Sequence, residues 1–149
     1  MNKHVCIFIL LIFIPTSLLL GSSLQRIAKL EEAKSPYNKA IQIDTLLKVL
    51  VLMGQKYDPR TPWPEIRNAN NVSQEEYNRA IGFDTQGRFC PLYDYINNVI
   101  YLLEDSQVHT LAHEYAHYVQ VRYEEADLEI GPLDTYEIEA ITIQNYFRN

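Results

Sequence analysis

Residues 99–124 read VIYLLEDSQVHTLAHEYAHYVQVRYE, and the change of period inside this stretch sets the fold class. Val99 to Leu103 is an unbroken run of aliphatic and aromatic residues, two of them β-branched, and predicts a short buried strand. From Asp105 or Ser106, either able to cap a helix, the pattern turns helical and continues to about Tyr123 or Glu124. Ala112, Ala116 and Val119 form an apolar seam along that helix, and neither Gly nor Pro interrupts it.

Upstream, Phe83 to Leu103 is rich in aromatic and β-branched residues. Gly87, Pro91, Asp94 and the pair Asn97–Asn98 punctuate it, which predicts two or three short strands joined by tight turns. Ser73 and Glu76 have capping-box spacing and predict a short helix ending near Gly82. A loop rich in Pro and Asn is expected from Tyr57 to Asn71, anchored by Trp63 and Ile66. Ser35 and Pro36 make an N-cap and first-turn pair for a helix reaching about Gln55, with Ile41, Leu46, Leu47, Leu50 and Val51 covering the core. Downstream, Gly131–Pro132 breaks the chain. Asp134 and Glu137 then repeat the capping-box spacing, predicting a last helix from Thr135 to about Phe147. The order is helix, loop, small sheet, helix, helix. The expected class is α+β, a compact domain with a small antiparallel sheet and the 113–117 helix packed on the C-terminal one.

The first 23 residues are set aside from this fold. Lys3 gives a positive start, Val5 to Leu20 is apolar, and Gly21, Ser22 and Ser23 are small, the order of a secretory signal peptide cleaved after Ser23. The apolar run of 16 residues, broken by Pro15, falls short of the roughly 20 needed to span a bilayer. The expectation is export to a periplasmic or secreted location, with residues 24–149 as one domain. An uncleaved anchor is the alternative, and the only route to membrane contact. The net charge is −6, and removing the leader takes away Lys3 alone. From Glu104 onward ten acidic residues face only Arg122 and Arg148, which excludes a nucleic-acid footprint. Cys90 is the one cysteine beyond the leader and is expected to be a small buried residue without a disulfide.

His113 and His117 lie four residues apart, one turn above each other on one helical face. That spacing lets both imidazoles reach one ion at roughly 2.0–2.1 Å. Glu114 points about 100° around the helix, so it is placed as a base rather than a ligand. Zinc would lower the pKa of a water to about 7, and Glu114 would take that water's proton. A catalytic zinc requires a third protein ligand. With no further His downstream, a carboxylate from the last helix is expected, Glu137 or Glu139. Glu139 is favoured because the capping box already accounts for Glu137, and because Ala140 beside it allows close helix packing.

HEYAHYVQ (113–120) followed by EIEAITIQNYF (137–147) resembles the gluzincin zinc metallopeptidases, especially their minimal single-domain bacterial type, over about Val99 to Phe147. The resemblance implies a zincin-like domain binding one zinc through His113, His117 and Glu139, with Glu114 as general base. It also implies that Val99–Leu103 is the edge strand along which an extended peptide aligns. Two features depart from the family. Thermolysin-like members place an Asp four residues after the ligand Glu to orient a zinc histidine, and here that residue is Ile143. Their transition-state donor comes from a C-terminal subdomain, so another residue is expected to supply it. Tyr136 and His109 are the candidates for that donor. Gln120 and Gln144 are expected either to pair across the two helices or to be surface amides.

The reading that follows is a zinc metallohydrolase cleaving a peptide or protein substrate. A zinc-binding scaffold or regulatory protein with little proteolytic activity is the main alternative, and hydrolysis of a non-peptide bond a third.

Overall fold

The switch from strand to helix after residue 103 is present in the structure, a computed structural model that describes residues 16–128 and 133–148. The chain divides into two units, residues 1–32 and 33–149. Helix α1 (Thr16–Lys34) is what is described of the first, and it runs through Ser23, where leader cleavage is expected. The charged start of the leader and most of its apolar run lie outside the described residues. Among those described, no helix is long and apolar enough to cross a membrane.

The second unit contains α2 (Lys39–Leu52), β1 (Glu65–Asn68), a 3-10 turn (Ala69–Asn71), α3 (Gln74–Ile81), β2 (Leu92–Asp94), β3 (Val99–Leu102), α4 (Val108–Tyr123) and α5 (Leu133–Tyr146). The class is mixed α+β. Helix α2 starts three residues later than Ser35–Pro36 predicts, because Asn38 Oδ1 accepts from the Ala40 and Ile41 N–H groups while Ser35 Oγ accepts from Tyr37 N–H. Helix α3 forms as its capping signal predicts. Ser73 Oγ accepts from Glu76 N–H, and Gly82 closes the helix at φ +84°, a conformation that costs glycine little.

The sheet order is β1-β3-β2, with β2 antiparallel to β3 but β1 parallel to it, so the expected all-antiparallel sheet is corrected to a mixed one. Strand β1 falls inside the predicted loop. Its sequence, EIRN, has neither apolar alternation nor β-rich composition, and only pairing with β3 makes it a strand. Asp94 builds the β2–β3 turn. Its carboxylate accepts from Ile96 N–H, Asn97 N–H and Asn97 Nδ2, and Asn98 adopts φ +56°.

Strand β3 is central and buried along its whole length. Ile100 and Leu102 pack into the main core with α2, α4 and α5, whereas Val99 and Tyr101 pack with Ala69 and Tyr77 of the α3 side. That period-two division buries both faces of the strand. Trp63 and Ile66 are partly buried against the main core, the anchoring role expected of them. Tyr37 donates from its hydroxyl to the Leu103 carbonyl at 2.8 Å, tying the start of α2 to the end of β3. Cys90 is exposed rather than buried, while its backbone N–H and carbonyl both bond the buried Tyr77 hydroxyl.

Candidate metal centre

Helix α4 is buried on nearly every side, with nine residues from Leu111 to Gln120 in the interior. It begins at Gln107 without a side-chain cap, because Ser106 Oγ instead accepts from Leu103 N–H and turns the chain out of β3. The helical repeat places His113 and His117 side by side. Their Nε2 atoms are 3.2 Å apart, and the rings meet edge to face at 80°.

The carboxylate that faces both rings is that of Glu137. Its Oε1 lies 3.2 Å from His117 Nε2 and its Oε2 lies 3.6 Å from His113 Nε2. His113, His117 and Glu137 are the one group of three potential ligands that converges among the described residues. Glu139, the carboxylate favoured from sequence, turns elsewhere and accepts from Gln120 Nε2 at 2.9 Å. The physical reason lies at the start of α5. The helix begins at Leu133, so Asp134 sits within its first turn and not at its cap. The capping box that set Glu137 aside does not form, and its carboxylate faces α4.

The donor set fits zinc on two counts. A tetrahedral ion with bonds of roughly 2.0–2.1 Å holds its ligand atoms about 3.3–3.4 Å apart; the two imidazole nitrogens are 3.2 Å apart, a different Glu137 oxygen faces each of them, and one ligand atom from each residue lies within 4.8 Å of the others. Two imidazole nitrogens and a carboxylate also bring several lone pairs together, an arrangement that a cation relieves.

Glu114 stands beside the cluster, 5 % exposed. Burial first, and then the negative charge of Glu137, push its carboxyl up to about 8, while a hydrogen bond from the Tyr93 backbone opposes the shift. His113 is pushed down, chiefly by burial and secondly by His117, with Glu137 opposing. A cleft of about 210 Å³ opens onto these groups and is lined as well by Pro91, Leu92, Tyr93, Leu128 and Tyr136. Strand β2 therefore borders the cleft. The expected edge strand, Val99–Leu103, is corrected: β3 is paired on both sides and has no free edge.

Of the two expected transition-state donors, Tyr136 lines the cleft. His109 does not. It is half-buried, and its pKa is lowered by burial and by the charge of Arg148. Ile143 fills the position of the expected orienting Asp and is buried in the core. The orienting contact comes from Gln120, whose Oε1 lies 2.9 Å from His117 Nδ1. Its amide is fully engaged there and on α5, so the pairing with Gln144 does not occur. The Tyr93 backbone contact to Glu114 had no sequence signal, since any residue carries an N–H. No family model, no curated protein and no solved structure matches the chain.

Proposed function

We propose that this chain is a zinc-dependent metallohydrolase of the gluzincin type, cleaving a peptide bond, with His113, His117 and Glu137 as ligands and Glu114 as general base. The observation that carries the reading is the convergence of His113, His117 and Glu137, one donor atom from each within 4.8 Å of the others, beside a buried carboxyl. Zinc in this place would supply Lewis acidity at neutral pH. Beside a dication Glu114 would be ionised at pH 7, because the cation would oppose the burial that raises its pKa. Its carboxylate takes a proton from the attacking water and returns it to the departing amine. The Tyr93 backbone holds that carboxylate in place. Strand β2 is the surface along which an extended peptide would lie.

Export remains part of the proposal and rests on the order of charge, apolar run and small residues in positions 1–23. A second reading, zinc-binding scaffold without turnover, draws support from the cleft lining. No lysine or arginine lines it among the described residues, and the Tyr93 hydroxyl is engaged with Asn98 and Arg122. The experiment is a zinc titration paired with a peptide-library digest of wild type and Glu114→Gln. About one zinc in both proteins, with cleavage by wild type alone, supports the peptidase. One zinc and no cleavage by either supports the scaffold.

A further inference from the structure

Between α4 and α5 lies the fully buried amide of Gln120. Its nitrogen has two partners on α5, the Tyr136 carbonyl at 3.0 Å and Glu139 Oε2 at 2.9 Å. A backbone carbonyl only accepts, so the NH₂ end of the amide must face α5. The amide oxygen then faces His117 Nδ1 at 2.9 Å. That oxygen has no hydrogen to give, so the proton in the contact belongs to Nδ1. In the neutral ring Nε2 is consequently bare, and its lone pair is turned toward His113 Nε2 and Glu137.

His113 is held differently. Its Nδ1 is buried and has no hydrogen-bond partner. Its Nε2 faces His117 Nε2 at 3.2 Å and Glu137 Oε2 at 3.6 Å, and among the described residues no backbone or amide group fixes which of its nitrogens carries the proton. We propose that Gln120, anchored by Glu139 and the Tyr136 carbonyl, is a positioning residue that fixes His117 in its Nδ1–H tautomer. The two histidines are then unequal ligands. His117 presents its lone pair before any ion arrives, whereas among the described residues no partner holds the His113 proton on Nδ1. This assigns Glu139 the task of holding the amide, and it rests on the zinc reading only for its effect on affinity.

The test is long-range ¹H–¹⁵N correlation of the imidazole rings in metal-free, full-length protein at about pH 8, where ordinary imidazoles are neutral. The expected spectrum shows a protonated Nδ1 for His117. A protonated Nε2 on His117 overturns the proposal. In Gln120→Leu, the His117 ring should become a mixture of tautomers, and zinc affinity should fall about 10–100-fold, the usual effect of removing a residue that orients a metal histidine. An unchanged tautomer in a variant that keeps its far-UV circular dichroism also overturns it. Should that variant not fold, the wild-type spectrum alone decides. Failure of wild type to bind zinc removes the proposed function but leaves the tautomer result to judge Gln120.

Discussion

Helices α4 and α5 meet at the same site with opposite characters. Nine residues of α4 are buried, whereas the buried described side chains of α5 are Ala140 and Ile143. The two histidines thus take their spacing from a helix that the core holds on nearly every side. Glu137 comes from a peripheral helix, and its side chain is 54 % exposed. Two donors are set by helical repeat and the third by how one helix leans on another. The difference predicts that the site is robust along α4 and adjustable along α5.

The largest effects should come from α4. His117→Ala should remove stoichiometric zinc, read by calorimetry, since it deletes the group that lies 3.2 Å from both of its neighbours in the cluster. Glu114→Gln should keep zinc and lower peptide cleavage by about 10²–10⁴-fold, the range for a lost general base. Without zinc the same substitution should alter the dependence of stability on pH. The wild-type carboxyl titrates near pH 8 when folded and at its ordinary value, 4.5, when unfolded. The folded state therefore binds more protons between those values, and stability falls as pH rises through that window. The loss should be on the order of a few kcal/mol by pH 8 and should be absent in Glu114→Gln, measured by urea unfolding of both proteins at pH 5 and pH 8.

Effects on α5 should be smaller and should locate the third ligand. Glu137→Gln should weaken zinc binding far more than Glu139→Gln, which keeps an oxygen for Gln120; the reverse order would restore Glu139 as ligand. Ala140→Leu should cost about 1–3 kcal/mol by overfilling a fully buried position. It should also weaken zinc binding by pushing Glu137 away from α4. Equal zinc affinity in a destabilised Ala140→Leu would break the contrast between the two helices.

Much of this was legible in the residues because it depended on neighbours along the chain. The α3 cap, the Asp94–Asn98 turn and the strand-to-helix switch after Leu103 are all local, and each formed. Strand β1 was not legible, because EIRN acquires its pairing only from β3, more than thirty residues away. Glu137 was passed over for a related reason. Its capping-box spacing is a local signal, and the start of α5 at Leu133 overrode it. Gln120 read equally well as a buttress or a surface amide, since nothing in one helix reveals what lies across from it.

By itself, the sequence determined that His113 and His117 share a helical face and that Glu114 stands beside them, because a 3.6-residue repeat depends on nothing else. It also determined the α+β class, through the period change around residue 103. Only the tertiary structure decided that Glu137 faces the two histidines, that Glu139 bonds Gln120, and that β2 borders the cleft. Each of those depends on the packing of elements distant in sequence, and single-helix or single-strand periodicity carries no information about such packing.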